Sequence, residues 1–238
     1  MQGGGMMTYY WGPMIIGGVF MLISWLVGSM LKRKFAKYSK VRMTNGMTGR
    51  EVAERMLKDN GIYDVKVIAV KGQLTDHYHP IHKTVNLSEA VYNKANAAAV
   101  AVAAHECGHA VQHARAYKPL NMRSKLVPIQ NASGMVLNIV VIGMAFLGGA
   151  LGGIAPFMIY IIIAAQAAIT LFALVTLPVE FDASKRALQW IDANGIVTVD
   201  EYDGAKDALK WAAMTYVVAA LAAVATLVYW IIVLMNRR

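Results

Sequence analysis

The sequence predicts a mostly α-helical membrane protein, with four transmembrane helices and a small α+β segment outside the bilayer. Two observations carry that prediction. Three long stretches hold no Asp, Glu, Lys or Arg at all: Met1 to Leu31, Leu126 to Val179, and Trp211 to Asn236. Of the 238 residues, 57% are hydrophobic and 16% charged, whereas a soluble domain carries about 25% charged residues. A helix needs roughly 20 apolar residues to cross a bilayer. The middle stretch therefore holds two spans and each outer stretch one. The break in the middle stretch is expected at the glycine-rich turn over 148–156, closed by Pro156.

The elements follow in chain order. Residues 1–31 form an N-terminal tail and the first span. Tyr9, Tyr10 and Trp11 suit one headgroup boundary, and Lys32-Arg33-Lys34 the other. The stretch lacks the basic start and small-residue cleavage pattern of a signal peptide. Residues 32–125 form the main segment outside the bilayer. Thr48-Gly49-Arg50-Glu51 is a capping-box pattern opening a helix that Asn60-Gly61 ends. Val65 to Val70 reads as a strand, Lys71-Gly72-Gln73 as a turn, and Thr84 to Ser88 as a second short strand. The alanine-rich stretch from Asn93 to Ala116 is a helix by propensity. Pro119 and Pro128 bracket the entry to the second span. Residues 126–178 hold spans two and three as a hairpin. Residues 179–210 hold two helices: one starts near Pro178 and stops at Asn194-Gly195, and one is opened by the capping box Thr198-Val199-Asp200-Glu201. The latter has no breaker before the last span, in residues 211–238. Gln130, Asn131, Asn138 and Gln166 are uncharged amides inside spans, and they read as helix-packing groups.

Charge placement sets orientation and excludes one partner class. The net charge of +9 could suggest nucleic acid. However, 17 of the 23 Lys and Arg lie between spans one and two, four lie between spans three and four, and Arg237 and Arg238 end the chain. None lies in the N-terminal tail or in the turn between spans two and three. That distribution follows the positive-inside rule and places both large loops in the cytoplasm. No basic surface interleaved with aromatics exists to bind nucleic acid. Cys107 is the one cysteine, so there is no intrachain disulfide, and it reads as a small side chain packing on its helix.

The candidate chemistry sits in the alanine-rich helix, at His105-Glu106-Cys107-Gly108-His109. Two imidazoles four residues apart share a helix face and can reach one zinc ion. Glu106, beside the first, stands where a general base for a metal-activated water is needed. A catalytic zinc site needs a third protein ligand. His113 lies about 12 Å along the axis from His105, which disfavours it as a ligand to a metal held by His105 and His109, and it reads more readily as a second-layer or interfacial group. The first acids after the uncharged middle run, Glu180 and Asp182, are the better candidates, with Glu180 preferred. His77, His79 and His82 cluster before the second strand. His79 and His82 read as a polar loop at a cleft rim, and His77 stays open between that and a substrate or metal contact.

The words Asp76-His77-Tyr78, Lys83-Thr84-Val85-Asn86-Leu87-Ser88, Ala103-Ala104-His105-Glu106 and Leu177 to Ser184 give the chain a family resemblance. They resemble, in the same order, the YugP-like neutral zinc metallopeptidases of bacterial membranes. That family is related in pattern to the HtpX-like proteases and other membrane gluzincins. The resemblance covers nearly the whole chain. It implies a gluzincin-like metalloprotease domain in the cytoplasmic segment and one zinc ion per chain, held by His105, His109 and Glu180, with Glu106 as catalytic base. His77, Asp182, His113 and Asn86 would lie in a second layer or contact substrate. The aspartate often found in HtpX-like proteins four residues after the ligand glutamate is Ser184 here, so its role passes to Asp182 or is absent.

Together these readings describe a multi-pass protein of a bacterial inner (cytoplasmic) membrane, cleaving peptides or membrane proteins at its cytoplasmic face. An extended substrate would pair with an exposed edge of the Thr84–Ser88 strand. The bilayer is a partner, nucleic acid is not, and oligomerisation stays open. A non-enzymatic membrane protein with a closed structural zinc site is the alternative. A metal transporter is disfavoured, because no ionisable residue lies within the spans.

Overall fold

The computed structural model describes residues 3–147 and 155–236. The elements run α1 (Gly3–Tyr38), α2 (Gly49–Asp59), β1 (Lys66–Val70), β2 (His77–His79), β3 (Thr84–Ser88), α3 (Glu89–Tyr92), α4 (Ala97–Ala114), α5 (Lys118–Leu147), α6 (Ala155–Ala193) and α7 (Val199–Met235). The chain is thus mostly helical, with one small sheet. Among the described residues, four helices are long and apolar enough to cross a membrane: Trp11–Tyr38, Lys118–Gly143, Phe157–Ala193 and Val199–Met235. The turn expected over 148–156 lies, as far as residue 154, outside the described residues, as do the side chains of Tyr9 and Tyr10, and Arg237 and Arg238.

The chain divides into two compact units. One comprises Met1–Leu26, Met122–Leu177 and Tyr216–Arg238, the apolar lengths of the four long helices. Its core gathers Val140 of α5, Ile159 and Ile162 of α6, and Trp230 and Val233 of α7. Apolar packing alone gives such helices little specificity in lipid, so polar groups fix the register. Gln166 Nε2 and Thr170 Oγ1 both donate to the Ala223 carbonyl, each at 3.1 Å.

The other unit comprises Val27–Asn121 and Pro178–Thr215 and carries the candidate site. Helix α2 starts at Thr48, whose side chain accepts from the Glu51 amide while the Glu51 carboxylate accepts from the Thr48 amide. Asn60 caps its far end, and Gly61 turns away at φ +73°, a conformation glycine adopts without strain. Val52, Ala53 and Met56 of α2 pack into one core with the alanine face of α4, where Ala97 to Ala101 are fully buried. Small side chains there let the two helices approach closely.

The structure corrects several sequence expectations. Helix α4 begins at Ala97 rather than Asn93, because the Asn96 side chain accepts the Ala99 amide as N-cap and residues 89–92 form the separate turn α3. The sheet order is β1-β3-β2, with β1 parallel and β2 antiparallel to β3. The Thr84–Ser88 strand is therefore central: both its edges are taken and it offers none to a substrate. The strand that takes the second edge, His77–His79, reads as loop in the sequence because it is three polar residues long. Its support comes from side chains, since Asn86 Nδ2 donates to the His77 carbonyl and Asp76 accepts the Ser88 amide and hydroxyl. Finally, no helix starts at Pro178. Helix α6 runs unbroken through it, because one proline removes a single intrahelical bond while the flanking turns keep theirs.

The last turns of α6 and the first of α7 are tied into this unit by long-range hydrogen bonds and a local capping bond. Trp190 Nε1 donates to Asp59. Glu201 accepts the Thr44 amide at 2.6 Å and the Thr198 amide at 2.7 Å. Tyr38 donates to Asp207 at 2.6 Å.

Candidate metal centre

Helix α4 and the part of α6 beyond Pro178 build the site. Their approach depends on Gly108, the residue before the second histidine. A Cβ there would lie 2.6 Å from the Ala183 carbonyl oxygen and 3.1 Å from its Cα, so the helices touch backbone to backbone. This contact brings Glu180 over the histidine pair. One donor atom from each of His105, His109 and Glu180 lies within 4.8 Å of the others, and Glu180 and His109 are buried. Glu180 Oε2 is 3.4 Å from His105 Nε2 and 3.7 Å from His109 Nε2.

These donors fit zinc. Bonds of about 2.0–2.1 Å in a tetrahedron place two ligand atoms roughly 3.3–3.4 Å apart, close to the observed separations. The outer nitrogens agree. His105 Nδ1 meets Ser184 Oγ at 3.1 Å, and His109 Nδ1 meets Gln112 Oε1 at 3.0 Å. A ring whose Nδ1 is occupied in this way presents Nε2 to a metal. Gln112 is fully buried and also donates through Nε2 to the Val179 carbonyl and to Asp182, both at 2.8 Å. Asp182 in turn holds Arg186 at 2.6 Å. A chain of hydrogen bonds thus runs from Arg186 through Asp182 and Gln112 to His109. Burial alone would depress the His109 pKa, but its hydrogen bond to Glu180 and the charges of Glu106 and Glu180 outweigh burial and raise it. The site attracts cations.

Glu106 is 8% exposed and turns toward the sheet, where its Oε2 accepts the Tyr78 amide at 2.9 Å. Residue 78 thereby points its amide away from β3 and toward the histidine helix.

The family comparison follows this geometry. A family model described as "Putative neutral zinc metallopeptidase" matches residues 13–235. The chain belongs to that family. The chain is similar to the "Putative membrane protease YugP" of Bacillus subtilis (strain 168): 44% identical over 209 residues, covering 87% of this chain and 90% of the relative. No solved structure matches it.

The other candidate residues fall around this centre. His113 is not in the three-donor group; its Nδ1 meets the Tyr78 hydroxyl at 2.8 Å. Asp182 also lies outside the group and reaches His109 only through Gln112. Ser184, the residue that departs from the HtpX-like pattern, contacts His105 Nδ1 through its Oγ. His77 is exposed, with Nδ1 on the Thr75 carbonyl, and Asn86 is buried bracing β2 on β3. Cys107 is buried with its thiol directed at the Ala53 carbonyl, and burial raises its pKa well above the ordinary value. Two contributors escaped the sequence reading. Gln112 sits three residues after His109, a helical spacing that places it beside that ring. Tyr78 acts through its backbone, which no side-chain pattern reveals.

Proposed function

We propose that the chain is an integral membrane zinc metalloendopeptidase that hydrolyses peptide bonds of membrane-associated proteins or small peptides. The observation that carries this reading is the combination of three zinc-compatible donors with a carboxylate, Glu106, anchored beside them. A zinc ion bound there would supply a Lewis acid that polarises a carbonyl and lowers the pKa of water to about 7. His105, His109 and Glu180 would hold it, with Ser184 and Gln112 orienting the two rings. Glu106 takes a proton from the attacking water and returns it to the leaving amine. The Tyr78 amide keeps one Glu106 oxygen fixed, so the other is presented to the proton. An extended substrate would lie along the outer edge of β2, with its scissile bond near Glu106.

The structural-zinc alternative needs a fourth protein ligand. The two candidates, His113 and Asp182, are engaged by Tyr78 and by Gln112 with Arg186, which favours an open position. The positive-inside distribution supports a cytoplasm-facing site in the cytoplasmic membrane of a bacterium.

Comparing wild type with Glu106→Gln tests the mechanism, with a membrane-fraction peptide library as substrate and zinc content measured in parallel. The expected result is retained zinc with cleavage lost by a factor of roughly 100 or more, the scale of general-base catalysis. Equal cleavage by both proteins would sink the mechanism.

A further inference from the structure

Two exposed amides on the second span lack hydrogen-bond partners, which lipid cannot supply. Asn131 and Asn138 are exposed on α5, and among the described residues neither side chain makes a hydrogen bond. Gln166 of α6, by contrast, is buried and bonded to Ala223. At about 1.5 Å per residue, Asn138 lies roughly 20 Å along the axis from Lys125, the last charge before the span. The hydrocarbon layer is about 30 Å thick, so Asn138 sits well within it. An amide there without a partner is costly.

The surrounding residues define a seam. Asn131 and Asn138 are one heptad apart and share a stripe with Val127, Gly134 and Val141, which alternate with them at three- and four-residue steps. Val127 and Val141 are exposed at 40% and 58%, and a Cβ on Gly134 would meet nothing within 4 Å. The stripe thus offers two amides seven residues apart, a glycine with open space in front of it between them, and an exposed valine beyond each.

We propose that this stripe is the contact between two copies of the chain, α5 lying parallel to α5 of the second copy. Three arguments choose that occupant. Acyl chains can neither donate to nor accept from an amide, whereas an asparagine does both and so satisfies an identical asparagine opposite it. Two copies in one membrane share a topology, which makes their α5 helices parallel. A seven-residue repeat is the period at which parallel helices meet again, so Asn131 faces Asn131 and Asn138 faces Asn138 across a two-fold axis. The glycine between them lets the backbones close enough for those bonds.

The test uses the full-length protein in phosphatidylcholine liposomes at high lipid-to-protein ratio, with buried Cys107 left in place. Asn131→Cys and Asn138→Cys should each oxidise to a disulfide-linked homodimer. Ile139→Cys, also exposed (65%) but about a third of a turn off the seam, should not. In single-molecule photobleaching, wild type should show two-step traces. The double variant Asn131→Val/Asn138→Val, with unchanged zinc content as its check on folding, should dissociate about tenfold more readily, the size of effect expected for two interhelical amide bonds in lipid. Single-step wild-type traces, equal cross-linking at Ile139→Cys, or an unchanged dimer fraction in the double variant would each overturn the proposal. Cross-linking of Asn138→Cys to a different polypeptide in native membranes would do so too. No proteolysis is read, so the result is independent of the peptidase reading.

Discussion

At the scale of single residues, the centre is governed by what lies behind the ligands. Gln112 touches no metal, yet its oxygen and nitrogen join His109 to Asp182 and to the α6 backbone. Replacing it with leucine keeps the volume but removes the acceptor that fixes the His109 tautomer and the donor shared by Asp182 and the Val179 carbonyl. Zinc affinity of Gln112→Leu should fall by about 10- to 100-fold, the usual loss when such a partner is removed. Competition with a chromophoric chelator measures it, and wild-type affinity would refute the orienting role. His109 also sets a pH dependence. Its pKa is raised above the ordinary value, and a metal can bind only the neutral ring. Zinc should therefore begin to leave at a higher pH than an isolated histidine would predict, and occupancy should keep falling with acidification. The sign reverses for the metal-free protein. A raised imidazole pKa contributes stability that is complete below the unfolded value and is lost as pH rises through the folded one. Zinc retention from pH 8 to 5, followed by elemental analysis, checks the first; thermal unfolding of the metal-free protein checks the second.

At the scale of elements, the decisive contact is α4 against α6. Gly108→Ala adds one methyl group against the Ala183 backbone, which cannot yield as a flexible side chain would. The helices must separate, taking Glu180 from the histidines, so this variant should lose both tight zinc binding and thermal stability while secondary structure by circular dichroism stays near wild type. Tight zinc binding by Gly108→Ala would contradict that account. Much of this architecture was legible in the sequence. Long uncharged runs marked the spans because hydrocarbon tolerates no charge, and capping boxes marked α2 and α7 because their bonds are local. The His105–His109 pair was legible because helical periodicity decides it. The strand β2 was not, since its stability comes from Asn86 and Asp76 rather than from its own three residues. Nor was the unbroken α6, because a lone proline signals a boundary that the flanking turns override. The preference for Glu180 over Asp182 already stood in the sequence; the coordinates add the packing, since residues two apart on a helix point in different directions and it is Glu180 that faces the histidines of α4.

At the scale of the whole molecule, no single segment between the apolar stretches holds the three donors. Residues 32–125 contain His105, His109 and Glu106 but lack Glu180, Ser184 and Asp182. Expressed alone, that segment should bind zinc far more weakly than the full chain, as isothermal titration would read. Equal affinity would show that the α6 ligand is dispensable. The long separation also bears on biosynthesis. His105 and its partner Ser184 are 79 residues apart, with the second and third apolar helices between them. A ribosome that has already released the histidine helix must still deliver both of those helices to the bilayer before Glu180 can arrive. Until then the nascent chain carries two thirds of a metal site and no competent hydrolase. On the proposed reading, the newborn protein cannot cut itself, or its neighbours at the translocon, before its own insertion is well advanced.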